Sequence, residues 1–270
     1  MIDREGNEIL VFDEYTRIVS YAPSLTEILV DMGYGDKIIA MTLVDQWDGA
    51  EEGTMLFDMM NPDIEGIVAL EPDLILTTNL TAAGGSNPFD VLGDSTTIAV
   101  IPTANSLMGI YEDITFIGEL LGEQEKAVEI VGDMQMSLVE FMQATAGLEE
   151  AKTVYFEISP SPYMYSTGKG TYLNEMIEMV GAQNALSVSD WVAITDEMVV
   201  EANPDVIITN VDYVDDPIGE IMSRNGWDSI TAIQNGDVYQ VDKLRTSLSN
   251  HNVILGMQEI ARVVYPDLYE

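Results

Sequence analysis

A motif that occurs twice in the chain, 132 positions apart, constrains the fold more than any other feature. The copies span residues 65–79 and 197–210. Each predicts a short helix that stops before a Pro-Asp pair, because proline cannot continue a helix, followed by a buried parallel strand. A spacing this wide predicts two similar lobes and not a solenoid, whose periods are roughly 20–50 residues. The matched pairs are Glu65 with Glu197, Ile67 with Val199, Val68 with Val200, Pro72 with Pro204, Asp73 with Asp205, Ile75 with Ile207 and Thr77 with Thr209.

Composition narrows the classes of function. A chain of 270 residues that is 47% hydrophobic can form two domains with their own cores. It has no cysteine, which excludes disulfides and thiol chemistry. The net charge of −37 argues against nucleic acid and anionic membranes, which attract clustered Lys and Arg. Two explanations of that charge stay open: a solvated acidic surface, or docking onto a basic partner.

No apolar run approaches the 18 or so residues that a membrane span requires, so the sequence predicts a soluble chain. The first eight residues are polar and acidic, unlike a signal peptide. If the protein is exported, we expect its signal and any lipid anchor to be absent from this sequence.

In the first lobe we predict strands at 9–15, 17–21 and 37–43. Ser24 as N-cap and Glu27 three residues later form a capping-box pattern, which predicts a helix that ends at Gly33. The remaining predicted elements are a Met-rich loop at 44–62, a connection at 81–88, a strand at 97–102 and a helix at 107–121.

A long helical pattern at 123–145 is the natural connector between the lobes. The second lobe is predicted to have strands at 153–158 and 237–241, a loop at 159–170 and a helix at 171–180. A closing helix is predicted from Asn250 and His251 through Val264.

These features occur in a characteristic order, together with the segments APSLTE at 22–27 and YSTGKG at 165–170. The chain resembles the substrate-binding proteins of ABC importers for cobalamin, haem and ferric siderophores. The resemblance covers about residues 16–266. It implies an α/β fold of two Rossmann-like lobes, each a mostly parallel sheet flanked by helices, bridged by one long helix with the ligand cleft between the lobes. The implied boundaries are an N-terminal lobe at 1–122, a bridging helix at 123–146 and a C-terminal lobe at 147–270, with helix 250–264 packing back across the lobes.

The resemblance also implies a function. The protein would be an extracytoplasmic monomer that captures a metal chelate and delivers it to an ABC permease and its ATPase. A ferric siderophore or haem ranks ahead of cobalamin, and no intrinsic cofactor is expected. A surface glutamate of each lobe pairs with a permease arginine in this family, and the matching residues are Glu65 and Glu197. The alternative is that both are ordinary solvated acids in a first helical turn.

The candidate ligand contacts are aromatic, thioether or basic side chains on predicted loops, with structural packing as the alternative for each. Met60 and His251 are the possible axial ligands of a haem iron. Trp191 matches an aromatic residue that clasps cobalamin in the family, whereas its partner position holds Met59. Arg245 suits an anionic ligand, or forms a surface ion pair. The full set is Tyr21, Met59, Met60, Tyr163, Tyr165, Trp191, Tyr213, Arg245 and His251.

Motifs of other classes are missing from the sequence. The segment 166–171 fails as a phosphate loop, since position 163 is Tyr and position 170 is Gly. No dinucleotide motif follows a strand and no nucleophile elbow is present. We therefore expect no enzyme activity. The rivals are an α/β enzyme with an active site in the cleft, which requires a strongly perturbed acid–base pair, and an adhesive surface protein, which requires no cleft.

Overall fold

The computed structural model describes residues 1–78 and 88–269 and divides the chain into two compact units. Unit 1 contains Met1–Ala104 and Met108–Gly132, and unit 2 contains Asn105–Leu107 and Asp133–Glu270. Of the predicted connection at 81–88, all but Pro88 lies outside the described residues. Among the described helices, none has the length and apolar character needed to cross a membrane.

Unit 1 contains a sheet of five parallel strands. The strands are β1 (Ile18–Ser20), β2 (Ile38–Thr42), β3 (Met55–Phe57), β4 (Leu74–Thr77) and β5 (Thr97–Val100). Their order across the sheet is β3-β2-β1-β4-β5. Every residue of β1 and β4 is buried, as expected for central strands of a parallel sheet covered on both faces. The helices are α1 (Pro23–Asp31), α2 (Ile64–Ala69) and α3 (Leu107–Leu121), with 3-10 turns at Gly35–Lys37 and Pro88–Ser95.

The predicted connecting helix is α4 (Gln124–Thr145), whose 22 residues extend for about 33 Å at 1.5 Å per residue. The division between the units falls within this helix, after Gly132. The helix therefore joins the two units through continuous backbone, and the prediction of a bridging helix is confirmed.

Unit 2 contains a second, mostly parallel sheet. Its strands are β6 (Thr153–Ser159), β7 (Tyr165–Thr167), β8 (Gln183–Asn184), β9 (Trp191–Ala193), β10 (Val206–Thr209) and β11 (Val238–Gln240). The order is β11-β10-β6-β7-β9, with β8 also paired to β6. Strand β7 pairs in antiparallel fashion with both β6 and β9, and the other pairings described in this sheet are parallel. The helices are α5 (Tyr172–Met179), α6 (Asp196–Ala202), α7 (Pro217–Met222), α8 (Thr231–Asn235), α9 (Lys243–Ser247) and α10 (Val253–Val264). The predicted α/β class with two similar lobes is confirmed.

The repeated motif has the same structure in both units: α2 and β4 form one copy, and α6 and β10 form the other. The aspartate of each copy, Asp73 or Asp205, accepts hydrogen bonds from the backbone of a neighbouring segment. The Asp73 carboxylate accepts hydrogen bonds from the backbone N–H groups of Thr16, at 2.8 Å, and Arg17, at 2.9 Å. The Asp205 carboxylate accepts one from the N–H of Thr153, at 2.8 Å, and another from its hydroxyl. Each aspartate thus fastens the turn after its helix to the start of the neighbouring strand.

We expect Asp205→Ala to lower the free energy of unfolding by about 2 kcal/mol, because hydrogen bonds to a charged group contribute about 1.5–3 kcal/mol. Asp73→Ala should cost less, since its hydrogen bonds are exposed and those of Asp205 are partly buried. Urea denaturation of both variants measures the difference. Asp205→Asn, which keeps one acceptor oxygen, is the matched control. An equal or larger loss in Asp73→Ala would contradict this prediction.

Several local predictions in unit 1 are wrong. Residues 9–15 form no strand, because side-chain bonds hold this segment: the buried Tyr15 hydroxyl is 2.9 Å from Thr97 Oγ1 and accepts the N–H of Phe12. The capping box does not form. Helix α1 begins at Pro23 after an extended Ala22, since the fixed φ of proline suits the first helical turn. The predicted loop 44–62 also contains β3, which pairs with β2.

In unit 2 the predicted loop 159–170 contains β7, and α7, α8 and α9 were not anticipated. The closing helix begins at Val253, later than predicted, with Asn252 as its N-cap. Strand β7 and helices α7, α8 and α9 have six residues or fewer. Segments this short do not show a clear hydrophobic periodicity in the sequence.

An ion pair attaches the N-terminal segment to α3 within unit 1. Arg4 Nε is 2.7 Å from Oδ1 of Asp113, whose side chain is buried. Burial raises the pKa of Asp113 to about 6, although Arg4 opposes this. The pKa of an aspartate in an unfolded chain is about 3.9. Between that pH and about 6, the folded state therefore binds more protons than the unfolded state. Protonation of Asp113 therefore stabilises the folded state at low pH, and this stabilisation is lost as the pH rises through about 4 to 6.

We expect Asp113→Asn to reduce the fall in unfolding free energy between about pH 4 and pH 7, because the amide does not titrate. Urea denaturation at the two pH values measures it. Asp133→Asn, at an exposed position on α4, is the control for loss of one negative charge. An unchanged pH dependence in Asp113→Asn would contradict the assignment.

Candidate ligand-binding site

The predicted ligand contacts of unit 1 lie beyond the carboxyl ends of its strands. Tyr21 directly follows β1, and Met59 and Met60 follow β3. Open parallel sheets bind ligands at this end, where the connecting loops and helix N-termini meet. The topology therefore brings these residues to the expected edge of the sheet.

The three residues differ in exposure. Tyr21 is only 1% exposed, and its ring packs against Phe57, at 4.7 Å between centroids, and Phe89, at 5.6 Å. Its hydroxyl has no hydrogen-bond partner among the described residues, and burial, with a smaller effect of Asp58, raises its pKa. Met59 packs against the same core, whereas Met60 is 76% exposed. Met60 is therefore the thioether of this edge that is open to a ligand.

In unit 2 a cluster of aromatic side chains follows β6 and lines the antiparallel edge. Tyr163 is 84% exposed, and the Tyr165 hydroxyl donates to the carbonyl of Trp191 at 3.1 Å. The Trp191 ring meets Tyr172 edge to face, with centroids 5.5 Å apart. A hydrogen bond thus holds Tyr165 and packing holds Trp191, whereas the side chain of Tyr163 is largely exposed.

The loop after β10 carries the exposed Tyr213, whose ring lies near the ammonium group of Lys243. Lys243 Nζ lies 5.5 Å from the centroid of the Tyr213 ring and 2.7 Å from Asp212 Oδ1. The hydrogen bond from Lys243 lowers the pKa of Asp212. Asn210, which sequence reasoning missed, donates to the hydroxyls of Thr246 and Ser247 at 3.0 Å each. These bonds tie the loop after β10 to α9.

Arg245 and His251 follow β11. Arg245 lies in α9 and forms an ion pair with Glu259, with 2.5 Å between Nη1 and Oε1. A surface ion pair was the predicted alternative to contact with an anionic ligand. His251 is half-buried in the turn between the buried Asn250 and the N-cap of α10. Ligand contact by either residue stays a prediction.

The two candidate docking glutamates occupy equivalent positions in their units. Glu65 lies in the first turn of α2 and Glu197 in the first turn of α6, and both are exposed. Asp63 caps α2 by accepting the N–H of Gly66 at 3.0 Å. Hydrogen bonds from its own backbone N–H and the Thr195 hydroxyl lower the pKa of Glu197. Permease docking by the pair stays a prediction.

The Gly-Lys-Gly segment has a structural role. A Cβ at Gly168 would lie 2.4 Å from the carbonyl oxygen of Val188, so only glycine permits this approach of two backbone segments. The Thr171 hydroxyl caps α5 by accepting the N–H of Asn174 at 3.1 Å.

A buried ion network, which sequence reasoning missed, lies behind the aromatic cluster. Glu157 on β6 is 1% exposed, and its two oxygens lie 2.8 and 2.6 Å from Nη2 and Nη1 of Arg224. Arg224 also pairs with Glu220. Burial raises the pKa of Glu157, against the opposing effect of Arg224. The available signal was an acid within the otherwise apolar strand 153–158, which requires a cationic partner.

Fold and site together define a binding protein of the class that serves ABC importers, with two α/β units joined by one helix. The chain belongs to the periplasmic binding protein family, whose model matches residues 18–244. It is 33% identical to YvrC, an ABC transporter substrate-binding lipoprotein of Bacillus subtilis, over 99% of this chain and 86% of that protein.

Two further similarities differ in the ligand that is named. The chain is 23% identical to a cobalamin-binding protein of Halobacterium salinarum, over 77% of this chain and 58% of that protein. A crystal structure from Staphylococcus epidermidis, of a possible iron-binding, periplasmic solute-binding protein, aligns with a TM-score of 0.81 and 28% identity. That alignment covers 93% of this chain and 99% of the other.

The family determines where the protein works and what kind of partner it has. It is an extracytoplasmic substrate-binding component of an ABC importer, so a permease is its partner and a small molecule its cargo. These relatives are binding proteins and not enzymes.

Proposed function

We propose that the protein captures a metal chelate, a ferric siderophore or haem, and delivers it intact to its permease. The observation that carries this is the set of aromatic and thioether side chains at the carboxyl edges of the two sheets, with Met60 and Tyr163 largely exposed. Aromatic rings bury large areas and stack on flat ligands. The iron-binding description of the Staphylococcus epidermidis protein agrees with an iron chelate.

Met60 of unit 1 and His251 of unit 2 are each a candidate axial ligand for the metal of a haem. A thioether and an imidazole are both axial ligands of haem iron in proteins. Tyr163, Tyr165, Trp191 and Tyr213 would contact the organic part of the chelate. Met59 and Tyr21 would support Met60 and the edge of unit 1 from the core, where both pack.

Cobalamin is the second candidate, favoured by the name of the Halobacterium salinarum relative and by Trp191, which matches an aromatic contact of the cobalamin binders. A corrinoid is bulky and largely apolar, so the same aromatic cluster would serve it. The ion pair of Arg245 with Glu259 leaves fewer free cations for an anionic ligand, which also agrees with a corrinoid.

The protein is further proposed to act as a monomer, to catalyse no reaction and to be anchored by lipid, as the Bacillus subtilis lipoprotein is. Self-association is disfavoured by the net charge of −37 on each copy, since like charges repel. Sedimentation velocity at physiological salt tests the first point, with a single species near 29.7 kDa as the expected result.

Thermal unfolding with a panel of chelates tests the proposal. Haemin, a ferric trihydroxamate, a ferric tris-catecholate and cyanocobalamin are added in turn. A ligand that binds the native state at about 100 times its Kd stabilises it by about 2.7 kcal/mol, which raises Tm by several degrees. A shift with haemin or a ferric siderophore supports the proposal, a shift with cyanocobalamin alone supports the second candidate, and no shift with any of them contradicts both.

We expect Trp191→Ala to weaken binding of the chelate found in that panel about ten-fold or more, because a buried aromatic contact contributes on the order of 1–3 kcal/mol. Fluorescence quenching titrations measure the Kd. Tyr269→Ala, which removes an aromatic ring that packs against Phe141 of α4, is the control and should leave the Kd unchanged. Equal affinity in wild type and Trp191→Ala would remove this residue from the site.

A further inference from the structure

The side chain of Arg224 contacts one segment of unit 2 directly and a second through Trp227, and the two segments have separate roles in the proposed function. It is only 6% exposed and forms paired hydrogen bonds with Glu157 on one side and Glu220 on the other. Its guanidinium also lies 4.6 Å from the centroid of the Trp227 ring. A guanidinium is planar with donors on three nitrogens, so it can satisfy two carboxylates and stack on an aromatic ring together.

The first segment carries the exposed tyrosines. Tyr163 and Tyr165 flank Met164, whose side chain points into the core and is 3% exposed. Arg224 Nη1 donates to the Met164 sulfur at 3.4 Å. The Met164 carbonyl in turn accepts the N–H of Ile194 at 3.1 Å. Because side chains alternate along an extended segment, fixing Met164 inward fixes the two tyrosines outward.

The second segment is the first turn of α6. The fully buried Trp227 donates from Nε1 to Oδ1 of Asp196 at 2.8 Å. Asp196 is the residue directly before Glu197. The ring that Arg224 contacts therefore fixes the backbone next to the candidate docking glutamate.

We propose that Arg224 is a positioning residue that holds both the Tyr163–Tyr165 segment and, through Trp227 and Asp196, the first turn that carries Glu197. The importance of these two segments rests on the proposed function, but the positioning itself does not require a ligand. Binding and docking surfaces of unit 2 would then share one buried anchor. Substitutions of Arg224 would disturb both surfaces, although the buried Arg224 side chain is part of neither.

Amide hydrogen exchange of the protein without ligand tests this. The Ile194 amide reports on the first segment through its bond to Met164. The Met198 amide, which donates to the Thr195 carbonyl at 3.1 Å, reports on the turn of α6. The Ile207 amide of β10, bonded to the Asp237 carbonyl at 2.9 Å, reports on the global stability of the unit.

Two variants separate the two connections. Arg224→Lys keeps the charge but cannot pair with both carboxylates and the sulfur at once, so exchange of Ile194 and Met198 should accelerate about ten-fold relative to Ile207. Trp227→Phe keeps a ring beside Arg224 but loses the donor to Asp196, so exchange of Met198 should accelerate relative to Ile207, and exchange of Ile194 should not. Arg262→Lys, on the exposed face of α10, is the matched control and should change none of the three.

Equal acceleration at all three amides in Arg224→Lys would show a general loss of stability and overturn the proposal. No acceleration at Ile194 would overturn it as well. Acceleration of Ile194 relative to Ile207 in Trp227→Phe would show that the two segments are not held by separate contacts, which also contradicts it. None of these outcomes depends on whether a chelate binds, so failure here is distinct from failure of the proposed function.

Discussion

The double variant Glu65→Arg, Glu197→Arg is expected to lose ligand uptake by at least about ten-fold while it binds the ligand with unchanged affinity. Both glutamates are exposed in first helical turns, and the resemblance to the family implies that they pair with permease arginines. Reversal of both charges replaces two expected attractions with two repulsions, and like charges placed opposite each other across an interface cost several kcal/mol. Uptake of the labelled ligand into cells or proteoliposomes that contain the permease measures the loss.

The charge-matched control for this experiment is Glu125→Arg, Glu149→Arg. These glutamates are also exposed, one in each unit, and the substitution changes the net charge by the same amount. It should leave uptake near the wild-type level. Normal uptake by Glu65→Arg, Glu197→Arg, or equal loss in both double variants, would show that the matched pair does not form a specific docking surface.

The second large effect is expected at the buried ion pair of unit 2. Arg224→Met leaves the Glu157 carboxylate buried without its guanidinium, and breaking such a pair costs about 3–5 kcal/mol. The pKa of Glu157 is already raised by burial, so loss of the cation should raise it further. Urea denaturation at about pH 7 measures the loss of stability.

Removal of both charges should restore much of that stability, because apolar residues of similar volume often replace a buried ion pair at little cost. The variant Glu157→Leu, Arg224→Met is therefore expected to be more stable than Arg224→Met alone. The Tyr155 hydroxyl, which donates to Glu157 at 3.1 Å, loses a partner and limits the recovery. A double variant no more stable than Arg224→Met would contradict the account of an uncompensated buried carboxylate.

Sequence alone predicted the repeated unit and the long helices. Pro72 and Pro204 end their helices, and the apolar runs after them have the length and burial of central parallel strands. Helix α3 has the predicted bounds, and α4 begins within one residue of its predicted start. These features depend on local chemistry and long periodicity, which a single sequence displays.

Tertiary contacts decided the features that were mispredicted. At Ser24 the capping pattern is present, but Pro23 already occupies the first helical turn and Thr26 bonds to Ser20 instead. Strand β3 is three residues long and owes its existence to pairing with β2. The bond of Tyr15 to Thr97, across 82 residues of sequence, replaces the strand predicted at 9–15.

The places of the candidate residues along the strands were predictable from sequence, but their contacts were not. Chain order places Met60, Tyr163 and Tyr213 after strands, so each lies beyond the carboxyl end of a strand in the sheet of its own unit. Burial of Tyr21 and the pairing of Arg245 with Glu259 arise from side chains that lie far away in sequence or on another element. The partner of Glu157 is 67 residues away, and among 47 acids and 10 cations the sequence does not indicate which of them meet.

The central claim is that this chain is a receptor for a metal chelate, and a visible absorption titration of the purified protein tests it most directly. Haemin, a ferric trihydroxamate, a ferric tris-catecholate and cyanocobalamin each absorb visible light, so a change in coordination or surroundings is observed directly. We expect one of the iron chelates to saturate at one equivalent with a Kd below about 1 μM, a free energy near −8 kcal/mol. If none of the four saturates while a ligand without metal binds at one equivalent, the protein is not a chelate receptor.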